Sequence, residues 1–181
     1  AAITSDLVFL GTNNTLQSLT ISYTNSSGTV SIGSSGVNVT NSLTLTDGIL
    51  NIPTAGLLTM GNNSLVTRNV TGASPSSITG NSPSGGPWTL KYSGTASVTT
   101  GLEIPSAGSP QIAGLLITTT AGTVTLGQAL TIGSGGITQS GSSGIFTCGA
   151  NAVSTSSFNQ TAGTFTAPSS TLTLTGNLTT S

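Results

Sequence analysis

The sequence is almost free of charged side chains. Its 181 residues include two basic and three acidic residues and no histidine; the charged positions are Asp6, Asp47, Arg68, Lys91 and Glu103. General acid–base catalysis, metal coordination and phosphate binding all depend on these residue types. The sequence therefore predicts a protein that is not an enzyme and that has no cofactor, no metal site and no nucleic-acid partner.

Cysteine and long apolar runs are also scarce. Cys148 is the single cysteine, so the chain cannot form an internal disulfide. Its neighbours Ile145 and Phe146 indicate that Cys148 acts as a small buried apolar residue. The apolar stretches are a few residues long, whereas a membrane-spanning helix needs roughly 20. We therefore expect no membrane span.

The polar residues that are present favour β-structure. Threonine (35 residues) and serine (29) dominate, together with 25 glycines. Threonine is β-branched and suits strands, while glycine, serine and asparagine suit tight turns. Strong helix formers are few, and no segment has a helical apolar stripe. The composition predicts an all-β fold.

Short runs of alternating apolar and polar residues recur along the whole chain at close intervals, in pairs such as Val37/Val39, Leu43/Leu45 and Leu50/Ile52. Three such strands per circuit would give coils of about 20 residues, typical of a solenoid repeat. The Gly-Thr-x-Thr segments that begin at Gly122 and Gly163 recur at a spacing close to two such coils. These spacings predict a parallel β-solenoid with ragged coils. The alternative is a β-sandwich filament subunit that donates residues 3–10 to a neighbour.

The segment 69–87 interrupts this rhythm, since it holds three of the seven prolines and little apolar material. It predicts a Ser/Pro/Gly-rich loop between a first repeat block (1–68) and a second one (88–181). The two blocks could also form one continuous domain.

A few residues are candidates for chemistry or binding. Asp47 precedes Gly48 and is expected to be a turn residue, and Glu103 could pair with Lys91. Trp88 and Tyr92 flank Leu90 at strand spacing, which predicts a core position or, alternatively, a platform that stacks on sugars. Seven Asn-x-Ser/Thr triplets are possible glycosylation sites: Asn13, Asn25, Asn38, Asn62, Asn69, Asn159 and Asn177.

Threonines also recur in alternating rows. The rows are Thr44/Thr46, Thr118/Thr120, Thr123/Thr125 and Thr171/Thr173/Thr175. Such rows can order water on a flat sheet, which suggests ice binding, but threonine also simply suits exposed strand positions.

Three segments carry a resemblance to a known class of protein. They are GTVSIGSSGVNVTNSLTLTDGILNI from Gly28, LKYSGTASVTTGLEIPSAG from Leu90 and NQTAGTFTAPSSTLTLTGNLT from Asn159. Their Thr/Gly/Asn-rich rhythm resembles the β-solenoid repeats of large secreted bacterial surface proteins of the adhesin-like and autotransporter-like kind. The resemblance implies an extracellular or cell-surface repeat protein used in adhesion, coats or fibres.

The expected function follows from the rims of the stack. Neither end of the sequence shows a helix, a charge cluster or a proline that would protect the edge of a solenoid. We therefore expect a non-catalytic subunit of an extracellular filament or surface layer, whose copies pair head to tail through β-strands. The alternative is an adhesin-type or ice-binding module of a longer surface protein, with surface glycans as partners.

Overall fold

The computed structural model describes residues 14–22, 28–71, 76–106 and 111–180. Within these ranges the chain forms 19 β-strands and no helix. Neighbouring strands pair in parallel and stack as a β-solenoid of about 7 turns. The predicted all-β parallel solenoid is confirmed, and the β-sandwich alternative is wrong. Residues 3–10, on which strand donation depended, lie outside the described residues.

Most strands are short. In chain order they are β1 (Thr15–Ser22), β2 (Thr29–Ser31), β3 (Val37–Asp47), β4 (Ile49–Ile52), β5 (Leu58–Met60), β6 (Leu65–Val70), β7 (Ser77–Gly80), β8 (Ser84–Gly85), β9 (Trp88–Gly94), β10 (Val98–Thr99), β11 (Ile112–Ile117), β12 (Thr123–Thr125), β13 (Leu130–Gln139), β14 (Ile145–Thr147), β15 (Val153–Thr155), β16 (Phe158–Gln160), β17 (Thr164–Thr166), β18 (Leu172–Leu174) and β19 (Leu178–Thr180).

The strands form three sheets along the stack. A large sheet of 12 strands contains β1, β3, β5, β6, β8, β9, β11, β13, β15, β16, β18 and β19. A four-stranded sheet runs in the order β10, β12, β14, β17, and a three-stranded sheet in the order β2, β4, β7. Within each sheet, strands pair with their equivalents on neighbouring coils, which is the pattern predicted from the sequence.

Coil length varies from turn to turn. In the three-stranded sheet Ser31 pairs with Asn51 and Asn51 with Thr79, and these partners are separated by 20 and 28 positions along the chain. Further along, Thr123 pairs with Ile145 and Ile145 with Thr164, so both of these coils are close to the predicted length. The recurrence at Gly122 and Gly163 therefore does span two coils, as its spacing predicts.

Glycine has a conformational role at the bend before these strands. Gly122 (φ 73°) directly precedes β12 and Gly163 (φ 78°) directly precedes β17. Residues with a side chain rarely adopt this left-handed conformation. The bend therefore explains why a glycine precedes the recurring Thr-x-Thr pair.

The core consists of columns in which one apolar side chain per coil stacks on the next. Neighbouring parallel strands lie about 4.8 Å apart, so such side chains are in contact. The longest column follows the registers of the large sheet through Leu19, Leu43, Val66, Leu90, Leu115, Ile137, Phe158 and Leu178. Its six inner members are buried, while Leu19 is half-buried and Leu178 is exposed.

The segment 69–87 contains β7 and β8 in its described part. β7 pairs with β4 and β8 pairs with β5, so these residues contribute strands to the three-stranded and large sheets. The sequence predicts a loop over this whole segment because of its prolines and its few apolar residues. These features give no sign of the two short strands that the structure contains. The division of the chain into repeat blocks 1–68 and 88–181 stays a prediction.

Candidate functional site

The two described carboxylates occupy different environments. Asp47 lies at the end of β3, where its Oδ1 accepts a hydrogen bond of 2.8 Å from the Gly48 amide, so it is the turn residue that the sequence predicted. Glu103 lies inside the solenoid with no exposed surface. Asp6 is outside the described residues. Among the residues described, no group of three or more His, Cys, Asp or Glu side chains could hold a metal ion.

Glu103 forms a buried ion pair with Arg68, whose residue is 3% exposed. This partner differs from Lys91, which the sequence had suggested. The pairing needs Arg68 to point into the core from the middle of β6, where its register partner on β9 is Tyr92. Arg68 alternates with Val66 and Val70, which are buried on the same face of β6, so the period of two was the signal in the sequence that its side chain points inward.

Hydrogen bonds from several elements surround the ion pair. The Tyr92 hydroxyl donates to Glu103 Oε1 at 2.6 Å, and the Gly101 amide donates to the same oxygen at 3.0 Å. Arg68 donates from Nη1 to the Thr99 carbonyl at 3.2 Å and from Nη2 to the Ser76 carbonyl. The bonds tie β6, β9 and the segment after β10 to one point inside the stack.

The electrostatics of this cluster keep the Tyr92 phenol neutral. Burial raises the pKa of Tyr92 well above its usual value, and the adjacent Glu103 carboxylate raises it further, against a lowering effect of Arg68. A neutral phenol can donate its proton to the carboxylate as a hydrogen bond. The cluster is closed to solvent, and its hydrogen bonds hold neighbouring coils together. We therefore interpret it as a structural clamp between coils.

Trp88 and Tyr92 point into the core beside Leu90, and all three residues are fully buried. This confirms the core position predicted from their spacing. A sugar-stacking platform built on Trp88 and Tyr92 is ruled out, because neither ring has a surface that a ligand could contact. A further aromatic cluster lies towards the last coils, where the Phe165 ring is 5.7 Å from Phe146 and 4.3 Å from Phe158.

Cys148 is a free cysteine buried in the core, as its apolar neighbours predict. Removal from water raises the pKa of Cys148 to about 12, from an ordinary value of 9.0. The nucleophilic form of cysteine is the thiolate. The raised pKa therefore makes Cys148 an unreactive thiol at neutral pH.

Stability is expected to fall above pH 9 because of Cys148. Between pH 9 and the folded-state pKa of about 12, the unfolded chain releases the thiol proton while the folded chain retains it. The stabilisation is therefore complete below pH 9 and is lost as the pH rises towards 12, with a slope approaching about 1.4 kcal/mol per pH unit. Urea unfolding under reducing conditions between pH 8 and 10 measures this slope.

A Cys148→Ala variant serves as the control, because it removes the titrating group without adding another. Its free energy of unfolding should change less than that of the original chain between pH 8 and 10, and the change that remains includes the Tyr92 phenol, which begins to ionise in the unfolded chain as the pH approaches 10. An equal slope in both proteins would contradict this assignment.

The possible glycosylation sites differ in accessibility. The Asn62, Asn159 and Asn177 residues are exposed, whereas Asn38 and Asn69 are half-buried on their strands. Asn13 and Asn25 lie outside the described residues. Glycan attachment therefore stays a prediction, and the exposed positions are the ones at which a glycan has room.

The rim formed by the last described strands, β17 to β19, carries apolar side chains. Leu178 is 57% exposed, while Leu172, Leu174 and Phe165 are half-buried against the core. In the described chain β19 pairs only with β16, and β18 only with β15. The other long edges of these strands keep unpaired backbone groups, which can accept a further coil.

The outward side of the four-stranded sheet is a second surface with a regular pattern. Thr99, Thr125, Thr147 and Thr166 lie in register on successive coils and form one column. Beside it Thr123, Ile145 and Thr164 form a parallel column. The Thr123/Thr125 row singled out in the sequence therefore stacks on further rows.

The whole chain matches none of the models of known protein families, none of the curated proteins and none of the solved structures. The chain is a β-solenoid repeat protein. Among its described residues there is also no helix of the length and apolar character that crossing a membrane requires.

Proposed function

We propose that this solenoid is a non-catalytic structural subunit of an extracellular filament or surface layer, in which copies stack head to tail by pairing their strands. The observation that carries the proposal is the open apolar rim formed by β17, β18 and β19. A solenoid rim offers both unpaired main-chain groups and the end of a hydrophobic core. Another coil placed on this rim would pair with the main-chain groups and cover the end of the core.

A second copy has a suitable coil to offer. β1 lies in the same sheet as β19 and pairs, among the described strands, with β3 alone. Leu19 of β1 and Leu178 of β19 belong to one apolar column, at the two ends of its described part. Pairing β19 of one copy with β1 of the next would continue this column, and full burial of a leucine side chain stabilises by roughly 1.5–3 kcal/mol.

The charge distribution supports close approach of copies. Arg68 and Glu103 neutralise each other inside the core. Three other charged residues remain in the sequence, Asp6, Asp47 and Lys91. A protein with so little net charge has weak electrostatic repulsion between copies, which promotes association.

An extracellular or cell-surface location belongs to the same proposal. It is supported by the resemblance to the repeats of secreted bacterial surface proteins and by the exposure of Asn62, Asn159 and Asn177. The alternative, an adhesin-type module that binds surface glycans, stays a prediction.

Substitution of Leu178 by aspartate tests the proposal. The purified chain should form filaments visible by electron microscopy and should sediment as a concentration-dependent polymer. Leu178→Asp places a charge in the apolar contact and should leave monomers with an unchanged circular dichroism spectrum. The reason is the cost of desolvating an unpaired carboxylate between two copies.

Ile145→Asp is the matched control. Ile145 is the other exposed large apolar residue among those described, with 37% exposure, but it lies on the side of the four-stranded sheet. This variant should still polymerise. Monomers of the original chain at high concentration, or equal dissociation by both substitutions, would refute head-to-tail stacking through the rim.

A further inference from the structure

We propose that the outward side of the four-stranded sheet, called here the threonine face, is an ice-binding surface. The face consists of two columns of side chains on β10, β12, β14 and β17. One column contains Thr99, Thr125, Thr147 and Thr166, and the other contains Thr123, Ile145 and Thr164. The inference does not rest on filament formation, because the face lies on the side of the stack and the proposed contact lies at its rim.

The first argument is geometric. Strands of neighbouring coils lie about 4.8 Å apart, and alternate residues along a strand lie about 6.7 Å apart. The threonine face therefore presents hydroxyl and methyl groups at the points of a nearly rectangular grid. These spacings are comparable with the distances between oxygen atoms on the surface planes of hexagonal ice, so water held by the grid can join the crystal.

The second argument concerns the hydroxyl groups themselves. None of the threonine hydroxyls on this face makes a hydrogen bond to another described residue. Threonines elsewhere do bond to the chain: Thr40 Oγ1 donates to the Leu16 carbonyl, Thr118 Oγ1 to the Tyr92 carbonyl and Thr155 Oγ1 to the Ser157 carbonyl. The hydroxyls of the threonine face are thus free to hold water.

The composition of the face favours ice over a polysaccharide. The outward positions of its strands hold only threonine and Ile145, with no charge and no aromatic ring. Aromatic rings are the usual platforms for sugars, and here Phe146 and Phe165 point towards the core instead. A neutral surface of methyl and hydroxyl groups complements a neutral water lattice.

The large sheet provides an internal comparison. Its outward column begins with Thr20, Thr44 and Thr67 but continues with Lys91 and Leu116. A lysine side chain projects beyond the methyl groups beside it and keeps its own hydration shell. A flat crystal surface cannot lie against this column along its length, whereas the threonine face has no charged residue, and its one departure from threonine is the apolar Ile145.

The face is also held rigid before any ligand arrives. Val98, Val124, Phe146 and Phe165 form the apolar column directly beneath it. The backbone groups of each strand pair with those of the next, so the grid needs little ordering on binding. Pre-ordering of this kind lowers the entropic cost of association.

Substitution of Thr147 by lysine tests the proposal. Thr147 lies inside the longer column, between Thr125 and Thr166. The original chain should shape ice crystals and produce a gap between their melting and freezing temperatures, measured by nanolitre osmometry. Thr147→Lys should reduce this gap to that of buffer while the circular dichroism spectrum and the melting temperature stay the same.

Thr44→Lys is the matched control, since it makes the same substitution in the centre of the Thr20/Thr44/Thr67 column of the large sheet. This variant should keep the full freezing gap. The proposal is overturned if the original chain leaves ice unshaped, if Thr147→Lys retains activity, or if Thr44→Lys loses it equally. Adsorption to insoluble cellulose that Thr147→Lys abolishes, without any effect on ice, would also overturn it in favour of a polysaccharide.

The two proposals can fail separately. Leu178→Asp should remove polymers and leave ice shaping in place, because Leu178 lies on the rim. Thr147→Lys should remove ice shaping and leave polymers in place. Loss of both properties in one folded variant would show that binding to ice requires the polymer. That result would contradict the proposal that a single chain carries a complete ice-binding face.

Discussion

Replacement of Glu103 by alanine is expected to lower the free energy of unfolding by about 3–5 kcal/mol, the usual cost of leaving one partner of a buried ion pair alone. Arg68 would then keep its positive charge in the core, where its residue is 3% exposed. A guanidinium cannot shed its proton to relieve this cost. Chemical unfolding followed by far-ultraviolet circular dichroism measures the loss.

The geometry of the cluster explains why the expected effect is so large. Glu103 Oε1 accepts hydrogen bonds from Arg68, from the Tyr92 hydroxyl and from the Gly101 amide. Alanine removes the acceptor for all three donors at once. Each buried donor left without a partner adds roughly 1–3 kcal/mol of desolvation cost.

Two further variants separate charge from packing. Arg68→Met alone should cost less than Glu103→Ala, because Glu103 Oε1 keeps the hydrogen bonds from the Tyr92 hydroxyl and the Gly101 amide. The double variant Arg68→Met with Glu103→Leu should recover part of the loss, since apolar side chains can replace a buried ion pair. A loss below about 1 kcal/mol for Glu103→Ala would place the pair in the range of exposed salt bridges and contradict the buried clamp.

Replacement of Trp88 by alanine is expected to cost about 3–5 kcal/mol. Trp88 begins β9, has no exposed surface and pairs in register with Ile112 of the next coil. Its ring also lies against Gly86, where an added Cβ atom would come within 2.5 Å of the indole Cε3. Removal of the ring leaves a cavity that this tightly connected stack cannot fill by collapse.

Trp88→Phe is the matched control. The indole Nε1 makes no hydrogen bond to any described residue, so phenylalanine loses ring volume but no polar contact. Its cost should be clearly smaller than that of alanine, because phenylalanine leaves a smaller cavity. Trp88 is the single tryptophan, so unfolding must again be followed by circular dichroism; equal losses for Ala and Phe would contradict a packing role for the ring.

Much of the fold could be predicted from local pattern. Alternation at pairs such as Leu43/Leu45 and Leu50/Ile52 identified inward-facing residues, and all four are buried. The recurrence at Gly122 and Gly163 indicated the coil length, because the strands that follow these glycines lie two coils apart in the observed register. These predictions succeed because the direction of a side chain on a strand depends on its position in the strand alone.

The partners within the candidate sites could not be predicted from the sequence. The Arg68–Glu103 pair joins residues 35 apart in the chain, and nothing near either residue signals the other. Lys91 is closer to Glu103 in sequence but lies on the outward side of β9, between Thr67 and Leu116. Only the winding of the chain brings β6 and the segment after β10 to the same place in the core.

Composition and rhythm were sufficient to predict a chain of low charge and short β-strands and to favour a parallel stack over a β-sandwich, because charge scarcity and alternation are properties of the chain in any conformation. The folded structure was needed to show which residues meet across coils. The coils have no constant repeat length, so the register between them depends on how far each bend extends. That register places Thr99, Thr125, Thr147 and Thr166 in one column and leaves Leu178 at an open rim.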